Sequence, residues 1–412
     1  MQIQRIIALL LFHMLLATSV AFCAEPFLAK LDLWRAGEGG YKLYRIPGIV
    51  ITARGTILAY AEARRYTGGD WDTTDIVMRR SADNGKTFSP QRVIAHVPPL
   101  PRSTVAIERK QGKPDDVTYN NPVAIADKNG AVHFLFCRDY MRIFYMRSDD
   151  DGLTFSTPVD VTSTFDAYRP EYPWRVAATG PGHGIQLNNG RLLVPIWLAL
   201  GTEGNGHQPS VNSTIYSDDD GKTWRRGDIA VPNTLETPNP NETTAVQLAN
   251  GRVMLNIRTA SSRNERLVVT SKDGAHHWSR PEFQASLPDP ICFASIVRLS
   301  TKRYGGSNRI LFVNPDNLSR SDGKQIAGKD RRNLTVRLSY DEAKTWPVKR
   351  VLEPGPSGYA DIAVSPNGII WCLYEASGEF PHERIVLAKF NLEWLTGGPH
   401  GASKRTAAQP AH

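Results

Sequence analysis

Three pairs of polar residues stand at matched distances from glycine turns, and such pairs can do chemistry if the turns bring them together. Arg45 and Arg64 are centred on Arg54-Gly55. Glu242 and Arg258 are 16 residues apart about Asn250, and Tyr359 and Glu375 are 16 apart about Asn367. In a hairpin with a short turn, residues equidistant from the turn lie opposite each other. Each pair therefore falls at the end of its hairpin remote from the glycine. One such pair is ordinary at a solvated rim. Three at corresponding ends predict a single polar pocket, carried by strand ends on a rigid scaffold. The charge balance of 49 basic against 41 acidic residues, net +8, suits an anionic small ligand. It does not suit nucleic acid, because no run of five or six Lys/Arg occurs.

The elements that must position these residues repeat along the chain. An apolar run, a glycine turn and a second apolar run recur around Gly55, Gly130, Gly190, Gly251, Gly305 and Gly368. Asn-Gly between apolar runs is a strong hairpin signal, since both turn residues tolerate positive φ. A second unit, Ser-x-Asp-x-Gly-x-Thr-aromatic, is complete at Ser81–Phe88, Ser148–Phe155 and Ser217–Trp224. It is degraded at Ser271–Trp278 and at Ser339–Trp346, where Ala343 replaces the glycine. Its Ser and Asp side chains bond their own turn backbone and its aromatic residue anchors the turn. A calcium-binding reading is disfavoured, because the spacing and terminal Glu of an EF-hand are missing. Each period thus offers four strands, and the expectation is an all-β, six-bladed β-propeller with almost no helix. The strand FLAKLDLW before the first hairpin and VLAKFNLEWL after the last should share a blade and close the ring.

A chain of 412 residues can bury a core without disulfides or metals. Residues 1–23, with Arg5 ahead of an apolar run and small residues near the end, predict a secretory signal peptide. The product is then exported, periplasmic or extracellular, with no membrane insertion after cleavage. Residues 25–396 form the propeller domain, and residues 397–412 read as a disordered tail. Cys137, Cys292 and Cys372 sit in apolar strands and read as buried thiols. Asn-x-Ser/Thr sequons occur at Asn212, Asn241, Asn317 and Asn333. A glycan on Asn241 would obstruct the pocket beside Glu242, so an unglycosylated bacterial product is expected.

The sequence YRIP (Tyr44–Pro47) followed by Asp boxes resembles the exo-sialidases (neuraminidases) of bacterial and animal type, from about Leu33 to Leu395. The resemblance implies that Arg45, Arg258 and Arg331 clamp a substrate carboxylate, Arg331 being preferred to Arg332 because it lies three before Leu334. Planar guanidinium groups bind carboxylates bidentately. By the same resemblance Tyr359 is the nucleophile and Glu242 the carboxylate that draws its proton. Sialidases with a tyrosine nucleophile are an exception to the two-carboxylate rule of glycosidases, since an anionic nucleophile would be repelled by the sugar's own carboxylate. Asp70, nine residues before Arg79, matches the general acid/base in preference to Asp72 and Asp75. Arg64 resembles the contact to the 4-hydroxyl, Asn121 a further substrate contact, and Glu375 the group that holds Arg45. The stretch Gly180–Leu187 also resembles the family and reads as backbone shaping.

The implied activity is a retaining exo-α-sialidase acting on sialylated glycans, as a monomer, with no metal or organic cofactor. Two alternatives stay open: a glycosidase for a related nonulosonic or ulosonic acid (deaminated sialic acid or Kdo), and a non-catalytic sialoglycan-binding propeller. The presence of Asp70, Glu242 and Tyr359 speaks against the second.

Overall fold

Short apolar runs broken by turns make strands. In the computed structural model, which describes residues 24–302, 306–319, 330–378 and 382–397, strands dominate. The α-helices among the described residues are single short turns at Thr104–Glu108, Thr162–Asp166 and Leu392–Thr396. None of the helices there is long and apolar enough to cross a membrane. The expected leader over 1–23, the turn glycine Gly305 and the tail beyond Gly397 lie outside the described residues.

The first sheet comprises Leu43–Ile51, Ile57–Arg64, Thr74–Ser81 and Arg92–Val93. The second contains Tyr119–Ala126, Val132–Arg138, Arg142–Ser148 and Val159–Asp160, with Gly182–His183 added parallel to its first strand. The third is built on Val176–Thr179, Leu192–Glu203, Gln208–Ser217 and Arg225–Arg226. The fourth runs through Thr243–Gln247, Val253–Ile257, Glu265–Ser271 and Glu282–Pro288. The last sheet has seven strands, not four. Val348–Val364 is one continuous strand that pairs with Arg332–Ser339 along its first half and Ile370–Ala376 along its second. Hydrogen bonding therefore yields five sheets where six separate ones were expected. The N-terminal strand Leu28–Arg35 does pair with Arg384–Phe390, near the C-terminus.

Each sheet packs its apolar face on the next. Leu58, Tyr60 and Ile76 of the first meet Ala124 and Phe134 of the second, and Leu193 and Tyr216 of the third meet Ala245 and Leu255 of the fourth. Trp34, Trp371 and Leu373 bring the end of the series back onto Ile49 and Ala59 of the first. At the centre the Asp361 carboxylate gathers donors from distant parts of the chain. Ile49 N (2.9 Å) donates to one oxygen, and Ser295 Oγ (2.7 Å) and His183 Nδ1 (2.7 Å) meet the other. Cys137, Cys292 and Cys372 are all buried free thiols.

Two of the three polar pairs oppose each other as their turn centres predict. Arg258 N donates to Glu242 O at 3.0 Å, and Tyr359 N donates to Glu375 Oε2 at 3.1 Å. The third does not. Arg45 faces Glu62, and Arg64 faces Leu43: the ladder beside the turn is centred on Arg54, with Ile51 facing Ile57, and the register shifts a further step between Arg45 and Gly48. The cause is local: Ile46 takes φ 55 and Pro47 has no N–H for the ladder, so the strand bulges.

Candidate active site

Tyr359 is the hub of the site. Its hydroxyl lies 2.6 and 2.8 Å from the two oxygens of Glu242, and Arg258 Nη1 donates to it at 2.7 Å. Arg258 Nη1 also donates to Glu242 Oε2. The guanidinium carbons of Arg45 and Arg331 stand 5.2 and 5.6 Å from the centre of the Tyr359 ring, and Phe293 packs against that ring with centroids 5.5 Å apart. Burial pushes the phenol well above its ordinary pKa and Glu242 adds to this, while Arg258, then Arg331 and Arg45, pull it back. The net effect is a protonated hydroxyl that donates to Glu242.

The arginines around this ring come from remote segments. Arg45 Nε and Nη2 bind Glu375 Oε1 and Oε2 at 3.0 and 3.3 Å, a fork-to-fork pair. Glu375 also accepts from Ile46 N at 3.0 Å. Burial pushes the Glu375 carboxyl up, but Arg45 and His382 outweigh it and hold the group well below the usual carboxylate range. A Cβ on Gly358 would sit 2.2 Å from Glu375 Oε2, so only glycine lets the carboxylate reach the strand beside Tyr359. Arg331 donates through Nη2 to Ile291 O and is in no ion pair among the described residues. The Nε groups of Arg258 and Arg331 are buried and meet no hydrogen-bond partner there. Arg332, the rejected neighbour, is exposed.

Across the cavity stands Asp70. Arg64 Nη1 donates to Asp70 Oδ1 at 2.8 Å, while Arg64 Nε and Nη2 are taken by Glu62 at 3.1 and 2.7 Å. Glu62 also accepts from Asn121 N at 2.8 Å, which fixes Asn121 at φ 50 on the cavity wall. Burial pushes the Asp70 carboxyl up, but Arg64, His207 and Arg45, in that order, hold it well below its ordinary range. The competing aspartates serve the loop instead. Asp72 Oδ2 accepts the main-chain N–H groups of Tyr66, Thr67 and Gly68, and Asp75 binds Arg65 Nη2 (2.6 Å) and the Tyr41 hydroxyl (2.7 Å).

A cavity of about 130 Å³ joins the two halves, lined by Asp70, Asn121, Glu242, Arg258 and Tyr359. Its wall also contains Asn241, the sequon expected beside Glu242, and Ile46, Tyr140, Trp197, Asn205, His207 and Gln208, to which the sequence reading gave no role. Asn205, His207 and Gln208 come from the polar, glycine-broken stretch GTEGNGHQ between two apolar strands, opposite the Asn-Gly turn; that position was the available signal. Asn212 is fully buried, its amide donating to Ile196 O, Asn241 O and Thr243 Oγ1, so its sequon presents no acceptor. A larger cavity of about 280 Å³ near Lys128, Gln186 and Gln247, at the glycine-turn ends, includes none of these reactive groups.

The BNR repeat-like domain family matches residues 100–372. A sialidase of Micromonospora viridifaciens is 31% identical over 395 residues, covering 90% of this chain and 55% of its own. A sialidase of Bacteroides fragilis (strain YCH46) is 27% identical over 360 residues, covering 83% and 61%. The chain thus spans little more than half the length of these two curated relatives. Among solved structures, the Hadza microbial sialidase Hz136 superposes with TM-score 0.70 at 25% identity, covering 89% of this chain and 69% of that one. A leech intramolecular trans-sialidase superposes with TM-score 0.69 at 18% identity, covering 90% and 71%; that likeness is one of fold.

Proposed function

Since the chain belongs to the BNR repeat-like family of sialidases, we propose that it is a retaining exo-α-sialidase that releases terminal sialic acid from glycans through Tyr359. The observation that carries the reading is the Tyr359 hydroxyl, bonded at once to Glu242 and Arg258 with Arg45 and Arg331 against its ring. Guanidinium groups gathered around a phenol suit a substrate whose reacting carbon bears a carboxylate.

In this reading Arg45, Arg258 and Arg331 hold the substrate carboxylate, Arg64 meets the 4-hydroxyl and Asn121 lines the sugar pocket. Asp70 gives its proton to the glycosidic oxygen as the C–O bond breaks. The Tyr359 oxygen bonds to the anomeric carbon, and its proton passes to Glu242. Water then displaces tyrosine: Asp70 takes the water's proton and Glu242 returns one to the phenolate, so the first configuration is retained. No step calls for a metal or organic cofactor. Arg64 donates to Asp70 Oδ1, so the proton that Asp70 gives and takes is carried on Oδ2. The ring belongs to the same reading: the seven-stranded sheet counts as two four-stranded blades that share Val348–Val364, which gives a six-bladed propeller. Residues 1–23 act as an export signal, and the exported protein works as a monomer.

The test is release of free sialic acid from sialyl-lactose by the wild type and by Tyr359→Phe. The wild type should turn over, and the variant should lose about 10³-fold or more, as nucleophile removal does elsewhere. A Tyr359→Phe protein at full rate would end the nucleophile assignment. Parallel substrates bearing a 5-N-acetyl or a 5-hydroxyl group decide which nonulosonic acid is preferred.

A further inference from the structure

Asp70 is gripped from two sides. Its Oδ1 binds Arg64, at the end of the strand from which the Asp70 loop leaves, and its Oδ2 accepts from Asn205 Nδ2 at 3.0 Å across the cavity mouth. Asn205 lies in the turn that joins Leu192–Glu203 to Gln208–Ser217 in the third sheet. That turn has its own anchors, independent of the Asn205 side chain. The Trp71 indole N–H donates to Asn205 O at 2.9 Å, and Arg109 donates to Thr202 O (2.8 Å) and Gly204 O (2.6 Å). The His207 ring packs on Tyr140 and Trp197 with centroids 4.6 and 5.4 Å apart. Asn205 is exposed, so changing its side chain leaves the turn and the core in place.

The proposed reaction asks Asp70 to be an acid in one step and a base in the next, without leaving its position. With Arg64 fixed on Oδ1, the proton must come and go at Oδ2, the oxygen that Asn205 faces. An amide can serve both states: its N–H donates to a carboxylate, and after rotation about χ2 its oxygen accepts from a carboxylic acid. A guanidinium can only donate. A carboxylate partner would only accept, and would repel the ionised form.

We infer that Asn205 is a positioning residue for Asp70, its amide holding the carboxyl toward the cavity in both protonation states, so that one sheet supplies the proton donor and another its orientation. The inference rests on the sialidase reading. It predicts a dependence on leaving group that a merely structural residue lacks, because an aryl sialoside expels its phenolate with little help while a sugar sialoside needs the proton.

The experiment measures kcat/KM, which reports the step that expels the leaving group, for wild type, Asn205→Ala and Asn205→Asp on an aryl sialoside and on sialyl-lactose. Thermal melts check that the variants fold as the wild type does. Asn205→Ala should lose about tenfold on sialyl-lactose, a part of the 10²–10⁴ that acid–base catalysis supplies, and stay within about twofold on the aryl substrate. Asn205→Asp should move the alkaline limb of the sialyl-lactose pH profile upward, because a second carboxylate beside Asp70 favours its protonated form. Equal losses on both substrates, or an alkaline limb that stays put, would overturn the positioning role alone. A wild type that cleaves neither sialoside would overturn the sialidase reading, and this role with it.

Discussion

Glu375 carries more of the site than a single ion pair would suggest. It binds both nitrogens of the Arg45 fork and accepts the N–H groups of Ile46 and Tyr359, so it fixes Arg45 and the strand that carries Tyr359 together. Replacing it with glutamine keeps the volume but leaves the Arg45 guanidinium without a counter-charge. Removing one partner of a buried pair typically costs about 3–5 kcal/mol, because the other charge stays desolvated. Glu375→Gln should therefore lower the unfolding free energy by that order, seen as a lower denaturation midpoint, and raise KM, since Arg45 is no longer held at the ring of Tyr359. A variant with unchanged midpoint and KM would show that Arg45 is oriented by something else. At this scale the sequence was informative where a motif fixes spacing. Arg45, Tyr359, Glu242, Arg258 and Glu375 all stand around one phenol. Asn205, Trp197 and His207 were not legible. Asn205 and His207 sit in a turn with no internal period, and Trp197 in an apolar strand reads only as core.

At the scale of elements, the Asp boxes behave as the sequence indicates. In the second, Asp150 accepts from Ser148 Oγ and Thr154 N (both 2.8 Å) and from Thr154 Oγ1 (2.6 Å). The degraded fifth box keeps the same bonds at Asp341, with Ala343 accepting φ 65 where glycine is expected. Burial pushes the Asp150 carboxyl up, but the Thr154 and Ser148 donors outweigh it and bring its pKa from 3.8 down to about 2. Asp219 is likewise held at about 2, chiefly by the Thr223 hydroxyl. Between those two pH values the unfolded chain binds protons that the folded box does not. The stabilisation is therefore complete above pH 3.8 and fades as the pH falls toward 2. Asp150→Asn should destabilise by about 1 kcal/mol at neutral pH. Midpoints taken down a pH series should show the gap from wild type narrowing once the pH drops below 3.8; a gap indifferent to pH would remove the carboxylate from the account. Hairpin register was legible for the same local reason at Glu242 and Arg258, and failed in the first hairpin, where the ladder centres on Arg54 and Ile46-Pro47 inserts a bulge that turn counting cannot see.

For the whole molecule, the decisive contact joins positions more than 350 residues apart. Phe27 N donates to Asn391 Oδ1 at 3.1 Å and Asn391 Nδ2 to Glu25 O at 2.8 Å, beside the pairing of Leu28–Arg35 with Arg384–Phe390. Closing a loop of that length costs about 5 kcal/mol in chain entropy. Apolar packing must offset it, and Trp34 is placed to do so. Only 1% exposed, it shares a cluster with Tyr44, Ile49 and Ala59 of the first sheet and with Trp371, Leu373 and Leu387 of the last. Its indole N–H donates to Gln91 Oε1 at 2.9 Å. The wedge therefore joins the two ends of the series, next to the strand that carries Arg45. Trp34→Ala should lose about 3–5 kcal/mol, as large core deletions do. The active cavity takes walls from several sheets, so it exists only while the series stays closed. The variant's activity against temperature should then fall in step with its melting curve, both displaced downward from wild type. If melting shifts while activity persists to the wild-type temperature, the cavity does not depend on this closure; if melting does not shift, the N-terminal strand is not what holds the two ends together.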